Sequence, residues 1–431
     1  MTDKQIAWSA NFYVFCVAYA VGTATAVTSF DFENFVLNEK LMSIGTGCLF
    51  VVIVLFSFVS GSVIGILGPK KGMMLALALL TTYFVGYAAA GFVGEESPLQ
   101  WPFFMISAVG CGTSVSLLGA GLGPWVDRTA VILCQEDEEL NLSEVTALLM
   151  ANFSVILYGL QATFMLILAA LQGFLHLSYP VIIVIYGCVS ATAVLIMTGV
   201  REPPEPEGER QGTRSCKDQG RITLRHYRDP RVLLLAMVPL TVGLVSAWKQ
   251  TSITGILKET IGENQLGVVS LIEAGTAIFF TKVFEKVIRC VGTNPVILIG
   301  TVFFFAMTLL SLFTNLAHDG WWIAVFFVLA GLGNAVYDTA ARVIFLDHFP
   351  GKRAAVAFAG MNMQQFIGSA VFYFMGAGGM DREVKSKIQT VCTMVLAALI
   401  MPCLFLADKL KQKTVDDSSD EELESSDDEH L

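Results

Sequence analysis

Gly121-Leu-Gly-Pro-Trp-Val-Asp-Arg-Thr-Ala130 ends one long apolar run, and Gly331-Leu-Gly-Asn-Ala-Val-Tyr-Asp-Thr-Ala340 ends another, 210 residues further along the chain. Each of these runs is the fourth in a series of six, and a polar stretch at 201–230 separates the two series. Matching stretches at matching positions indicate two parallel six-helix repeats. The alternative is a chance match, because short Gly-rich segments recur easily.

The apolar runs extend over almost the whole chain, which is 54% hydrophobic and only 15% charged. A soluble protein carries roughly 25% charged residues. Runs of about twenty apolar residues are long enough to cross a bilayer as helices, and they lack the alternation of a transmembrane barrel. The sequence therefore predicts an all-α polytopic membrane protein with twelve transmembrane helices at 8–29, 42–67, 72–93, 102–125, 146–172, 178–200, 231–257, 265–283, 294–315, 321–342, 353–376 and 388–408.

The distribution of Lys and Arg predicts the orientation of these helices. With the N-terminus inside, 21 basic residues lie on the cytoplasmic side, five lie in external loops and Lys249 lies within a helix. Both termini are therefore expected in the cytoplasm. The sequence does not distinguish the plasma membrane from an internal membrane.

The polar segments divide the chain into four parts. We expect a six-helix bundle at 1–200, a cytoplasmic linker at 201–230, a second bundle at 231–408 and an acidic disordered tail at 409–431. Each of the four tail serines precedes an acidic residue by three positions, a pattern suited to acidophilic kinases: Ser418, Ser419, Ser425 and Ser426. The tail is either a regulated docking segment or a solubilising end that is modified without consequence.

A Gly-rich turn, Gly65-Ile-Leu-Gly-Pro-Lys-Lys-Gly72, joins the second and third predicted helices. It resembles the signature loop of the major facilitator superfamily, which implies that superfamily's fold of two six-helix halves. Lys70 and Lys71 are therefore candidate gate residues. The acidic residue usual in the motif is missing, so the alternative is a basic turn that only sets orientation.

Three further stretches are similar to the ion-channel-regulatory family named after the worm "uncoordinated ninety-three" protein. They are Leu67-Gly-Pro-Lys70, the segment from Gly331 to Thr339, and Ala354-Ala-Val-Ala-Phe-Ala359 followed by Gln364-Gln-Phe-Ile-Gly368. The sequence departs from that family's pattern at Ala340 and in the fourth helix. The resemblance implies either a regulatory or trafficking partner of another membrane protein, or a transporter.

Two oppositely charged residues lie within predicted helices. Lys249 is eight residues before the end of the seventh helix, and Glu273 is eight residues after the start of the eighth. At 1.5 Å per residue, both lie about 12 Å from the external end. We therefore expect an ion pair that faces the central cavity. It either binds a substrate carboxylate or a coupling proton, or it fastens the two helices together.

Other polar residues provide candidates for gates and for the cavity lining. Asp127 with Arg128, and Asp338 with Arg342, are expected at the cytoplasmic ends of equivalent helices, as gate latches or as solvated helix ends. The cavity candidates in the tenth and eleventh helices are Asn334, Tyr337, Gln364 and Gln365. Such side chains are often only packing contacts between helices. The inventory predicts that buried charge is concentrated in the second half.

No phosphate-binding loop, zinc-protease motif or nucleophile elbow is present, so the sequence indicates no enzyme, no cofactor and no metal. No basic patch indicates nucleic acid. Two functions stay open: a major-facilitator-type transporter of a small solute by alternating access, with ion or proton coupling as an option, and a non-transporting regulatory partner of a channel or receptor. The expected partners are the lipid bilayer, a small solute or ion, and in the second case another membrane protein.

Overall fold

The structure is a computed structural model of the whole chain. It describes residues 3–94, 97–135, 142–204, 221, 224, 226–260, 262, 265–313, 322–349, 354–378 and 380–427. Every secondary-structure element in these residues is helical. Eleven of the described helices are long and apolar enough to cross a membrane.

Six long helices precede the central linker. They are α1 (Asp3–Asp31), α2 (Glu39–Leu67), α3 (Pro69–Val93), α4 (Gln100–Gln135), α5 (Leu142–Gly173) and α6 (Tyr179–Gly199). A short helix, Glu33–Val36, lies between α1 and α2. Glycines with positive φ make the tight turns after α2 and α3: Gly68 at 81° and Gly94 at 84°. A side chain with a Cβ atom is strained in this region, which explains the glycines.

Six more long helices follow, and two of them are interrupted; Ala354–Ala377 is the one of the twelve that is not among the eleven candidate spans. The seventh, α7, consists of Pro230–Leu235, Met237–Trp248, a π-helical turn at Lys249–Ile253, and Thr254–Thr260. The tenth, α10, consists of Ile323–Val336, a second π-turn at Tyr337–Ala341, and Arg342–His348. The others are α8 (Leu266–Val291), α9 (Thr293–Phe313), α11 (Ala354–Ala377) and α12 (Arg382–Asp427).

The helices alternate in direction, so the bundle has two ends. We call the end with Asp3, Gly68 and the 200–229 connection the basic face, and the end with Gly94 and Asp381 the opposite face. At the basic face, Asn11 of α1 fastens the start of the linker, because its amide donates to the Arg201 carbonyl at 2.8 Å and its Oδ1 accepts from the Arg201 amide at 2.7 Å. The linker is thus held to the first six helices where it begins.

The first six and last six helices pack together near the opposite face. Phe50 of α2 stacks on Phe366 of α11 with ring centroids 5.6 Å apart. The backbone of α8 approaches α5 so closely at Gly267 that a Cβ atom there would lie 2.8 Å from the Ala169 nitrogen. Together these contacts join α2 to α11 and α5 to α8 across the interface between the halves.

Within the second half, glycines allow equally close approaches. A Cβ atom on Gly243 of α7 would lie 1.9 Å from the Gln365 carbonyl oxygen of α11, and one on Gly331 of α10 would lie 2.5 Å from the Glu273 carbonyl oxygen of α8. Small residues at these crossings are what permits helix backbones to touch in a membrane. The Gly-rich start of the 331–340 stretch therefore has a packing role.

Several predicted helix ends differ from those in the structure, by between two and nineteen residues. The first helix ends at Asp31 and not at 29, and α4 continues to Gln135 and not to 125. The tenth span ends at His348, because the π-turn continues the helix beyond 342. Helix α12 continues past 408 to Asp427. That the tail has no stable fold of its own stays a prediction.

Candidate functional site

The π-turn in α7 decides which residues of that helix face its neighbours. In a π-helix the backbone bonds run from residue i to residue i+5. Here the Thr254 amide donates to the Lys249 carbonyl oxygen five residues earlier, and the Thr254 hydroxyl donates to the same oxygen at 3.2 Å. In this turn the side chains of two consecutive polar residues, Lys249 and Gln250, reach two different neighbouring helices.

Lys249 points at α8 and forms an ion pair there. Its Nζ lies 2.6 Å from Oε2 and 2.8 Å from Oε1 of Glu273. The Asn334 amide of α10 donates to the same Oε1 at 3.1 Å, and the Lys249 ammonium lies 5.6 Å from the centre of the Phe327 ring. The ion pair expected from the depth of the two residues is therefore present, and Asn334 joins it.

Gln250 points across to the first half. Its amide donates to Oδ1 of Asp31, at the end of α1. Asp31 is 5% exposed, and its carboxylate lies within electrostatic range of both Lys249 and Glu273. The polar cluster of Asp31, Lys249, Gln250, Glu273 and Asn334, which we call the interface cluster, thus bridges the two halves.

A second buried carboxylate, Glu33, lies two residues beyond Asp31 and is 1% exposed. Oε2 accepts from the Thr46 hydroxyl of α2 at 2.7 Å, and Oε1 accepts from the Tyr83 hydroxyl of α3 at 3.1 Å. The prediction that buried charge is concentrated in the second half is therefore wrong. The missed signal is the alternation of Phe with acidic residues in Phe30-Asp-Phe-Glu33, which is unusual for a solvated loop.

The remaining cavity candidates do not join the interface cluster. The Tyr337 hydroxyl lies 3.1 Å from the Thr301 hydroxyl of α9, and the Tyr337 ring stacks on Phe304. Gln364 is buried and donates to the Val232 carbonyl oxygen near the start of α7. Gln365 is half-buried on the face of α11 that packs on α7. These contacts lie within the second half, and the lining of a cavity by Tyr337, Gln364 and Gln365 stays a prediction.

The gate candidates on the basic face are placed differently from the expectation. Lys70 donates to the Thr198 carbonyl oxygen at 2.8 Å and so neutralises the carboxyl end of α6, while Lys71 is exposed. Asp127 and Arg128 lie inside α4, not at its end, and Arg342 lies at the start of the last segment of α10. The Asp338 side chain and the side chains of the four tail serines lie outside the described part of the chain.

At the opposite face, polar side chains of α12 contact α2 and α7. Lys385 of α12 is buried and lies 3.2 Å from Glu39 at the start of α2, whose side chain is 71% exposed. Gln389 of α12 accepts from the Ser252 hydroxyl at 2.8 Å and donates to the Thr251 hydroxyl at 3.2 Å, so it supports the π-turn of α7. Sequence reasoning did not single out these residues, because their partners come from distant elements.

The interface cluster contains acids, a base and two amides, and among the described residues no group of three or more His, Cys, Asp or Glu could hold a metal ion. Such a set can bind a polar solute through hydrogen bonds and opposite charges, and its carboxylates can take up protons. Because its members come from both halves, the cluster joins the two halves through side-chain contacts.

Comparisons with known proteins agree with this arrangement. A family model described as "Major Facilitator Superfamily" matches residues 10–373. A solved structure of a mutant of the nucleoside transporter NupG superposes with a TM-score of 0.65 at 12% identity, covering 92% of this chain and 99% of that one. The inward-open xylose transporter XylE from E. coli gives 0.61 at 14% identity, covering 91% and 95%. A partially occluded inward-open form of XylE gives 0.62 at 13%, covering 93% and 97%.

Proposed function

This chain belongs to the major facilitator superfamily and is a multi-pass membrane transporter of that type, and we propose that the interface cluster is where its small solute binds. Alternating access moves the solute from one side of the membrane to the other as two six-helix halves rock against each other. The halves are 1–200 and 231–408, joined by the linker at 201–230.

The observation that carries this proposal is the continuous set of contacts from Asp31 through Gln250 and Lys249 to Glu273 and Asn334. Ionisable residues in a membrane are costly and usually mark a substrate or ion pathway. A merely structural pair needs only two helices of one half, whereas this cluster includes α1 of the first half. A solute that replaces one of these contacts alters the attraction between the halves.

We also propose that the basic face is cytoplasmic, since 21 of the 27 Lys and Arg residues lie on that side by the sequence. Both termini are then cytoplasmic. The contacts of α1, α2 and α5 with the second half support an inward-facing conformation as part of this proposal. The two matched XylE structures are inward-open states of that protein, which supports this assignment.

Uptake into proteoliposomes that contain only this protein tests the function. The probes are radiolabelled nucleosides, pentoses, amino acids and small carboxylates, each offered with and without a proton gradient. For a transported probe, Glu273→Gln should reduce uptake at least tenfold, because the charge on Lys249 loses its partner while the hydrogen bond from Asn334 is kept. Glu383→Gln is the matched control, since Glu383 is an exposed acid on the opposite face. Equal uptake by both variants would refute a role for the cluster.

The alternative, a regulatory or trafficking partner of another membrane protein, rests on the resemblance of the 331–339 and 354–368 stretches to the "uncoordinated ninety-three" family. In that case the tail serines would control docking of the partner. Failure to transport any probe, together with stable co-purification of one membrane protein that is lost on removal of 413–431, would favour the alternative.

A further inference from the structure

Glu33 is a carboxyl group sealed inside the first half near the opposite face. It begins the short helix Glu33–Val36, directly after α1, and is 1% exposed. The segment is anchored by Phe32, whose ring is fully buried and stacks on Tyr179 with centroids 5.4 Å apart. Glu33 therefore cannot turn outward to reach water without moving this anchor.

In the described part of the chain, the surroundings of Glu33 supply hydrogen-bond donors and no compensating positive charge. Its two oxygens accept from the hydroxyls of Thr46 and Tyr83. Among the described residues, the titratable groups within its electrostatic range are all acids, drawn from four neighbouring elements: Asp31 of α1, Tyr83 and Tyr87 of α3, Cys111 of α4 and Tyr373 of α11.

An ionised carboxylate in such an apolar site carries a large desolvation penalty, and carboxyl groups normally respond by binding a proton. The neighbouring hydroxyls allow this, because each can either donate or accept a hydrogen bond. A protonated Glu33 would donate to Thr46 or Tyr83 and keep accepting from the other. The site therefore suits a proton better than a metal ion or a second ion pair.

Glu33 is also linked to the contact that joins the halves. It lies two residues from Asp31, which accepts from Gln250 of the second half and lies within electrostatic range of Lys249. Loss of a proton from Glu33 would place a second negative charge beside Asp31. That charge would change the attraction of Lys249 toward α1, in competition with Glu273.

We propose that Glu33 is the proton-binding site of this transporter and that its protonation state controls the attraction between Asp31 and the Lys249–Gln250 turn. The proposal rests on the transport function inferred above and adds the identity of the coupling ion and its binding residue. The chemical change is the gain or loss of one proton at the Glu33 carboxyl, and no other bond forms or breaks.

Infrared difference spectroscopy of the purified full-length protein in proteoliposomes, titrated with acid and base, tests the proposal without any solute. The wild type should show the carbonyl absorption of a protonated carboxyl that persists well above the pH at which exposed acids ionise. Glu33→Gln should abolish this band, and the control Glu383→Gln should leave it unchanged. Persistence of the band in Glu33→Gln, or its absence from the wild type, would overturn the proposal.

Thr46→Val provides a second variant in case Glu33→Gln does not fold. It removes one hydroxyl partner while it keeps the acid and a side chain of similar volume, so the band should persist with a shifted frequency and a shifted midpoint pH. An unchanged band would contradict the assignment. Because this readout needs no solute, its failure is distinct from a failure of the uptake experiment, which would count against the transport function itself.

Discussion

Breaking the ion pair between Lys249 and Glu273 should destabilise the protein far more when one partner is removed than when both are. The two charges lie 2.6 Å apart, and their side chains are 12% and 11% exposed. At an effective dielectric constant of about 20, two unit charges at this distance attract by about 6 kcal/mol. Part of that attraction offsets the desolvation of the two groups, so the net effect of the pair is much smaller.

A double-mutant cycle separates these contributions. Lys249→Met should lower the free energy of unfolding by about 3–5 kcal/mol, because it leaves a buried carboxylate without its counter-ion. Glu273→Gln should cost somewhat less, since the hydrogen bond from Asn334 survives and Asp31 still lies within range of Lys249. The double variant should be no less stable than either single variant, which gives a coupling energy of about 3 kcal/mol or more.

The free energies can be measured by titrating mixed micelles with a denaturing detergent and following tryptophan fluorescence. The matched control is the same cycle on the exposed pair of Lys387 and Glu383, for which we expect a coupling energy below about 1 kcal/mol. Strictly additive effects of Lys249→Met and Glu273→Gln would refute the argument, because they would mean that the two charges do not stabilise each other.

Three further predictions concern other parts of the molecule. Gly243→Ala should destabilise the protein by about 1–3 kcal/mol, because the added Cβ atom overlaps the backbone of α11. Gly159→Ala has open space around it and should stabilise α5 by up to about 1 kcal/mol. Detergent titration measures both effects. Lys385→Met should change stability by less than about 1 kcal/mol in the same assay, because its partner Glu39 stays in water. Burial lowers the pKa of the His348 imidazole, so the folded state binds fewer protons than the unfolded chain, and the free energy of unfolding should fall as pH drops through about 6.5. Melting curves between pH 5 and 8 should show this loss of stability in the wild type but not in His348→Gln. The same pH dependence in both proteins would contradict the prediction.

The sequence was sufficient for those parts of the structure that depend on distance along a helix. By the predicted bounds, Lys249 and Glu273 each lie eight residues from the connection between their helices, so two adjacent antiparallel helices were expected to bring them to the same depth. The membrane-spanning runs were likewise readable from their length and lack of charge. Both inferences use only the regular rise of a helix.

The sequence was insufficient where contacts come from residues distant in the chain. Asp31 and Glu33 follow an apolar run, and their alternation with Phe30 and Phe32 is the one local sign that they are not acids of a solvated loop. Their burial depends on Thr46, Tyr83 and Gln250, which three other elements supply. Lys70 resembles part of a gate motif, yet its position is explained by the Thr198 carbonyl of α6.

The π-turn at Lys249–Ile253 also has a meaning for comparing this chain with its relatives. A π-turn accommodates one residue more than the α-helix it interrupts. Deletion of one residue within Lys249–Ile253 would let a regular α-helix re-form while the segments before and after the turn keep their facing, so the side chains of the turn itself would be displaced. In an alignment of relatives, a one-residue gap at this place in the seventh helix would therefore mark the lineages in which the arrangement around Lys249 and Gln250 is not shared.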